Sequence, residues 1–347
     1  MVSPVVYFKD LFSERLRIKK EANLRLRHTT FSRRPFAVMV RKEVADHIRS
    51  WRFIVLLILI VLTFVGAMYV SLSNLKAAVS NENDPDRLFL YLKLLTATDG
   101  SLPPFHIFMS FLGALLGISL GFDAINAERN NGTLIRLLAQ PVYRDNLLLA
   151  KFVSALVIVA VLFLSLSLLM IGGGLIITGV RIEAVEFFRI LSFIVLTVLY
   201  VGFWLSLSIL LSVKFRQATT SALTAIGIWL FFTVFYRIIV NMIVKSFFPD
   251  PNFMGQDDIL YYNNLILDLL RLAPSQLYTD ATTTLLMPSV RSLGPLTMEQ
   301  MAGAIPSPLS VRESILIVWP QVSGLLAATA VCFALTYFWF MRREIRT

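Results

Sequence analysis

Apolar residues in this chain gather into six long runs divided by polar stretches: Phe53–Leu72, Phe105–Phe122, Phe152–Thr178, Ile190–Val213, Thr220–Val244 and Ile315–Met341. Each approaches the ~20 residues that a helix rising ~1.5 Å per residue needs to cross ~30 Å of hydrocarbon. Inside a bilayer every backbone N–H and C=O must find its partner within the protein, so a run this long and apolar is a helix. A membrane β-barrel would need segments of about 10 residues with alternating polarity, and the chain has none. The pattern predicts an all-α integral membrane protein with six transmembrane helices.

Ahead of the first run, Phe36, Val40, Val44, Ile48 and Trp51 recur every three or four residues, with Arg41, Lys42, Asp46 and Arg49 on the other side. This is the pattern of an N-terminal amphipathic helix lying in the membrane interface, an elbow leading into the first span. The same helix could serve as a topology anchor or touch a cytoplasmic partner. Before it, residues 1–34 are basic and weakly amphipathic, with Val5, Phe8, Phe12 and Leu16 at helical spacing.

Between the runs, Ser73–Pro104 reads as a polar outer loop with a turn at Asn83, Asp84, Pro85 and Asp86. Val180–Arg189 reads as a short second loop. Residues 245–313 read as a large outer loop with one amphipathic helix, Ile259–Leu272, a break at Ala273-Pro274-Ser275 and mostly loop beyond, through Pro288, Pro295, Pro306 and Pro308. Gly172-Gly173-Gly174 is expected to weaken or bend the third span, and Pro320 to kink the last.

Composition agrees with a membrane solvent: 56% hydrophobic, 16% charged, mean hydropathy +0.72. The net charge of +10 would suit nucleic acid, but its distribution points to topology instead. Residues 1–52, 123–151, 214–219 and the tail after Met341 carry 22 Lys/Arg, against nine in the outer segments. Basic residues near span ends stay inside, so both termini are expected in the cytoplasm. No cleavable signal pattern is visible. Cys332 is the single cysteine, which excludes an intrachain disulfide or a multi-thiol metal site.

Gly113, Gly117 and Gly121 form a small-residue stripe on one face of the second run, the pattern of a close helix–helix seam. Arg237 lies inside the fifth run, roughly 27 Å from its inner start, with Asn241 one turn on. An intramembrane charge is a site hypothesis; snorkelling, structural pairing and lining a substrate exit path are all open to it.

Residues 123–151 carry the clearest motif. Asp123 and Glu128 put acids at the expected inner membrane face. Asn131-Gly132 breaks the helix, and Thr133 is suited to cap a new short one. Leu134, Leu137 and Leu138 make a small apolar face, Pro141 ends it and Arg144 follows. The stretch resembles the ABC type-2 transporter permeases, whose pattern here is D-x-I-x-x-E-R-x-x-G-T-L, then L-L-x-x-P-V-x-R and a lysine opening the third span. The matching residues are Asp123, Ile125, Glu128, Arg129, Gly132, Thr133, Leu134, Leu137, Leu138, Pro141, Val142, Arg144 and Lys151. Asn130-Asn131, where an acid is more usual, and the long basic N-terminus depart from the pattern.

The resemblance implies the ABC type-2 exporter permease fold: a segment over 1–52, a six-helix domain over 53–341 and a tail over 342–347. It implies a permease subunit that binds no cofactor itself, two copies of which (or this chain with a related permease) join two ATP-binding subunits carrying ATP and Mg. The short helix around Ile125–Leu138 would be the coupling helix. Glu128, Arg129 and Arg136 would make polar contacts with the ATPase, and Gly132 and Pro141 would shape the loop. Location would be the inner membrane of a prokaryote, in contact with membrane lipid and not nucleic acid. No glycine is followed by lysine, so the phosphate-binding G-x-x-x-x-G-K-[ST] loop is absent from this chain.

Three other readings compete. A membrane enzyme needs clustered acids, bases or ligands, whereas His28, His47 and His106 are scattered. An ion-coupled transporter usually carries acids near the midplane, and the six runs contain none. A subunit that transmits ATPase motion without moving a solute would use the same coupling helix.

Overall fold

The computed structural model describes residues 35–80, 89–97, 103–134, 144–247, 255–289 and 308–342. All regular structure among them is helical, and six helices are long and apolar enough to cross a membrane. The elbow is α1 (Pro35–Ile48), and α2 (Trp51–Ser80) holds the first span. A short α3 (Leu90–Thr96) precedes α4 (Phe105–Gly121), the second span, and the connection after it contains α5 (Asn126–Asn130). The third and fourth spans are α6 (Arg144–Thr178) and α7 (Ala184–Lys214). The fifth joins α8 (Ala218–Leu230) through a π-helical turn at Phe231–Phe235 to α9 (Tyr236–Phe247). Then come α10 (Gln256–Leu270), α11 (Pro274–Leu286) and α12 (Val311–Arg342), the sixth span. We call the end bearing α5 the near face and the end bearing α3 and α11 the far face.

Helix α7 is the axis of the bundle. In its most apolar stretch 78% of residues are buried, against 11% for α8–α9 and 17% for α12. Its Tyr200, Val201, Trp204 and Leu205 are fully enclosed. Gly113, Gly117 and Gly121 on α4 face it so closely that a Cβ at Gly117 would lie 2.6 Å from the Val201 carbonyl oxygen, and one at Gly121 2.9 Å from that of Leu205. This close approach lets the Tyr200 hydroxyl donate to the Ser110 carbonyl (2.6 Å) and the Ser208 hydroxyl to that of Ile118 (3.0 Å).

Several expected loops are helical. Within Ser73–Pro104, α2 continues to Ser80 and α3 is packed into the core, with Tyr91, Leu92, Leu94 and Leu95 buried. Seven residues cannot span a bilayer, so run length did not mark them. Val180–Arg189 is a loop only to Glu183; α7 begins at Ala184 and carries Glu186 and Arg189 buried in its first turns. An acid therefore does lie in the fourth spanning helix. Glu186 accepts the Tyr91 N–H (2.8 Å), which fixes α3.

Pro274 begins α11 rather than leaving a break before loop, because a proline at a helix's first position gives up no intrahelical hydrogen bond. Helix α11 packs between α7 and α12. Its Tyr278 ring stacks on that of Tyr200 at 4.4 Å, a residue about 24 Å along α7 from its far end. The segment expected as an outer loop thus re-enters the bundle. The glycine triplet does not interrupt α6. Instead Gly173 and Gly174 make room for Met68 of α2 and Tyr91 of α3. Pro320 is inside α12, as its position required.

Candidate functional site

The motif residues converge on the near face, where α1, α2, α5 and α6 meet. Helix α5 is only five residues long, and α7 seats it: the Ser212 hydroxyl accepts the backbone N–H groups of Ile125 (3.0 Å) and Asn126 (3.2 Å). Those N–H groups belong to the start of α5 and have no intrahelical acceptor. At its other end the chain turns through Gly132 at φ +68°, a left-handed conformation that glycine adopts without a side-chain penalty. The Thr133 hydroxyl donates back to the Glu128 carbonyl at 3.1 Å. Asn130, Asn131, Gly132 and Thr133 form an exposed tip, and the Asn130 side-chain amide donates to the Arg216 carbonyl at 3.1 Å in the α7–α8 connection.

Behind the tip, charges are paired inward. The Lys151 ammonium lies 2.9 Å from Glu43 of α1 and 2.7 Å from Glu128 of α5. Lys42 closes the ring at 3.0 Å from Glu43 and 3.8 Å from Glu128, and also meets Asp46 at 3.2 Å. Glu43 and Lys151 are each only 6% exposed. One turn away, the Arg52 guanidinium at the start of α2 donates to Asp123 at 2.6 Å and covers the Phe122 ring at 4.8 Å. The two acids of the motif thus tie the α4–α6 connection to its neighbours, Asp123 to the start of α2 and Glu128 to α6 and, through Lys42, to the elbow. A polar cavity of about 440 Å³ separates the two ties, lined in part by His47, Ser119 and Thr133.

The electrostatics follow from this geometry. Burial works to raise the Glu43 carboxyl, but the Lys151 and Lys42 ammonium groups more than offset it, and the net shift is downward. Burial opposes charge on Lys42, but Glu43, Asp46 and Glu128 raise it on balance. Burial pushes the His47 imidazole below its usual value, despite the attraction of Glu43.

Among the other motif residues, Arg129 is half-buried on α5 and Arg144 is exposed at the start of α6. Arg136 and Pro141 lie outside the described residues, as do residues 1–34 and 343–347. Arg237 and Asn241 are on α9, far from this junction. Arg237 is exposed, close enough to Asp280 of α11 for their charges to interact, and Asn241 is half-buried. No group of three or more His, Cys, Asp or Glu suited to a metal occurs among the described residues.

Sequence reasoning placed Lys42 only on the polar side of the elbow and gave Glu43, Arg52 and Ser212 no role at this junction. Glu43 did carry a signal: it falls on the apolar side of the elbow, between Val40 and Val44, where an unpaired carboxylate would be costly. Ser212 carried none, being one of several serines in an apolar run.

An amphipathic elbow tied by ion pairs to a short loop helix, on a bundle of six helices long and apolar enough to span a membrane, is the arrangement that the resemblance in the sequence implies. The chain belongs to the ABC-2 transporter family: the family model described as "ABC-2 family transporter protein" matches residues 37–345. It is accordingly an integral membrane protein and a permease subunit of an ABC transporter, a class that associates with an ABC ATP-binding subunit. One similar protein is the "Probable ABC transporter permease protein NosY" of Stutzerimonas stutzeri, 28% identical over 292 residues, which cover 83% of this chain and 95% of that one. The protein of the same description from Pseudomonas aeruginosa is 26% identical over 204 residues, covering 58% and 67% respectively.

Proposed function

We propose that this chain is the membrane half of an ATP-driven exporter, and that the α4–α6 connection is the element through which a separate ATP-binding subunit moves it. The observation that carries this reading is the division of labour in the connection. Its acids, Asp123 and Glu128, are engaged within the chain, while its tip, Asn130 to Thr133, is left exposed. A partner resting on the tip would push on a segment already fastened to α1, α2, α6 and α7.

In this reading the near face is cytoplasmic, in the plasma membrane of a prokaryote. Two copies of the chain, or one copy and a related permease, sit on two ATP-binding subunits that hold ATP and Mg. Arg129 and Arg144, with Arg136, supply the polar contacts to the ATPase. Glu128 and Asp123 support the contact from behind instead of making it. Arg237 and Asn241 would flank the path near its exit.

The test is a cross-link. In a Cys332→Ser background, Asn131→Cys provides the only thiol, at the exposed tip. With the cognate ATP-binding subunit co-expressed, a short bifunctional reagent should join the two chains, and Leu223→Cys, on a lipid-exposed face of α8, should not be joined. Labelling of Asn131→Cys from outside intact cells by a membrane-impermeant reagent would reverse the orientation and remove the proposal.

A further inference from the structure

The near face holds a second exposed element beside the tip, the short turn from α7 to α8 at residues 215–217. Backbone bonds tie the turn to both helices. The Phe215 N–H donates to the Leu211 carbonyl (2.8 Å), and the Ser221 N–H donates to the Gln217 carbonyl (3.2 Å). The bond from the Asn130 side chain to the Arg216 carbonyl sets this turn against the α4–α6 connection. One helical turn earlier, Ser212 holds the start of α5. Arg216 and Gln217 are exposed, as are Thr219 and Thr220 in the first turn of α8. Tip and turn therefore form one continuous exposed surface, with Arg129 adjoining the donor of the bond that joins them and Arg216 carrying its acceptor.

We propose that the α7–α8 turn is a second docking point for the ATP-binding subunit, with Arg216 set against an acidic patch of that subunit. The inference rests on the reading that such a subunit docks at the tip. Continuity supports it first: a partner seated on Asn130 abuts Arg216, because the two residues are hydrogen-bonded to each other. Charge supports it next. The acids of the connection, Asp123 and Glu128, turn inward to pair within the chain, whereas Arg216 is exposed on the surface the partner would meet. A cation at the rim of an interface selects an opposite charge on the partner. Mechanics supply the third argument. The tip is fastened to α1, α2, α6 and α7, but the turn runs directly into α8. That helix opens the span that is only 11% buried in its most apolar stretch, against 78% for α7. A push on a short, hydrogen-bonded turn is therefore delivered to the span with the least packing within the chain to hold it back.

The experiment places a single thiol at the turn, Gln217→Cys in the Cys332→Ser background, with the cognate ATP-binding subunit co-expressed. A short bifunctional reagent should join Gln217→Cys to that subunit, as it should join Asn131→Cys. If Asn131→Cys is joined and Gln217→Cys is not, the turn faces headgroups or solvent, and this inference falls while the proposed function stands. If neither is joined, both fall. A second measurement reads the charge, by titrating the purified ATP-binding subunit onto the full chain in nanodiscs. Arg216→Gln should weaken binding about threefold and Arg216→Glu on the order of tenfold at low salt, both losses shrinking as salt rises. Lys245→Glu, an exposed cation near the far face, should leave binding unchanged. Arg216→Glu binding as tightly as the native chain, or a loss that salt does not reduce, would overturn the inference. Should Arg216→Glu not accumulate, the cross-link from Gln217→Cys still decides.

Discussion

Replacing Lys151 is the sharpest perturbation available at the near face. Its ammonium is the shared partner of two carboxylates, Glu43 at 2.9 Å and Glu128 at 2.7 Å, in a site where Glu43 and Lys151 are almost wholly removed from water. Lys151→Met leaves both carboxylates with only Lys42, which is half exposed and 3.8 Å from Glu128. Removing one partner of a buried ion pair costs about 3–5 kcal/mol, and the remaining Lys42 and the adjoining polar cavity place this case near ~3 kcal/mol. Glu43→Gln is milder, because Lys151 keeps Glu128; about 1–2 kcal/mol is expected.

The order of effects is therefore fixed by the geometry: Lys151→Met well above Glu43→Gln, with the Glu43→Gln/Lys151→Met double variant less damaged than the sum of the two. Thermal midpoints of detergent-purified chains measure the order. Spin labels at Val38→Cys on α1 and Asn131→Cys at the tip, in a Cys332→Ser background, report whether the elbow has come away. The distance distribution should broaden with Lys151→Met and stay narrow with Arg49→Gln. A narrow distribution with Lys151→Met, or Glu43→Gln proving the more damaging single change, would refute the ion-pair account.

Other tests address the rest of the molecule. Gly117→Ala places a methyl 2.6 Å from the Val201 carbonyl and 3.0 Å from the Leu205 nitrogen. The obstacle is backbone, so the change should cost about 2–3 kcal/mol, whereas Gly66→Ala, with nothing within 4 Å, should leave the midpoint unchanged or raised; equal midpoints would sink the seam. Arg189→Met withdraws donors from the Leu285 carbonyl, the Ser314 hydroxyl and the Leu309 carbonyl. It should loosen α11 by about 3 kcal/mol, read as faster hydrogen exchange over Pro274–Leu286. Acidification tests His47: its folded value is depressed from 6.5, so its contribution is complete above that pH and is lost as pH falls through the lower folded value. Glu43, also depressed, from 4.5, keeps its full contribution above that pH and loses it only as pH falls through its lower folded value. Elbow docking followed by the same spin labels should therefore weaken on mild acidification in the native chain and not in His47→Gln.

The six spans were legible because each run comes close to or exceeds the length that the bilayer requires and little else in protein structure is so uniformly apolar. The buried far-face elements were not, and α11 shows why. Its sequence, Pro-Ser-Gln-Leu-Tyr-Thr-Asp-Ala-Thr-Thr-Thr-Leu-Leu, reads as polar. Yet Thr279, Thr282, Thr283 and Thr284 each return their hydroxyl to a carbonyl of their own helix, those of Ser275, Tyr278, Thr279 and Asp280. A threonine satisfied in this way presents mainly its methyl group to its neighbours. Hydropathy averages score the hydroxyl and miss the satisfaction. Arg189 and Glu186 misled in the same way: each is charged, each is buried, and each is answered at least in part by a distant segment that no local window contains, Arg189 by Leu285, Leu309 and Ser314 and Glu186 by the Tyr91 N–H.

The near face inverts the lesson, since its two motif acids, Asp123 and Glu128, were found and their direction was not. An acid in a docking motif reads as a contact for the partner. The geometry turns Asp123 toward Arg52 and Glu128 toward Lys151, and this changes what the α4–α6 connection is able to do. A loop held only at its two ends would absorb a push by bending. This one is pinned at Asp123 to α2, at Ile125 and Asn126 to α7, at Glu128 to α6 and, through Lys151 and Lys42, to Glu43 of α1. Displacing the tip therefore has to move α1 and the near ends of α2, α6 and α7 together, or break these charge pairs, of which the buried ones at Lys151 are costly to rupture. On the proposed function, the ion pairs would make the elbow part of the lever, so loosening them should uncouple motion at the tip from motion of the spans before it unfolds either.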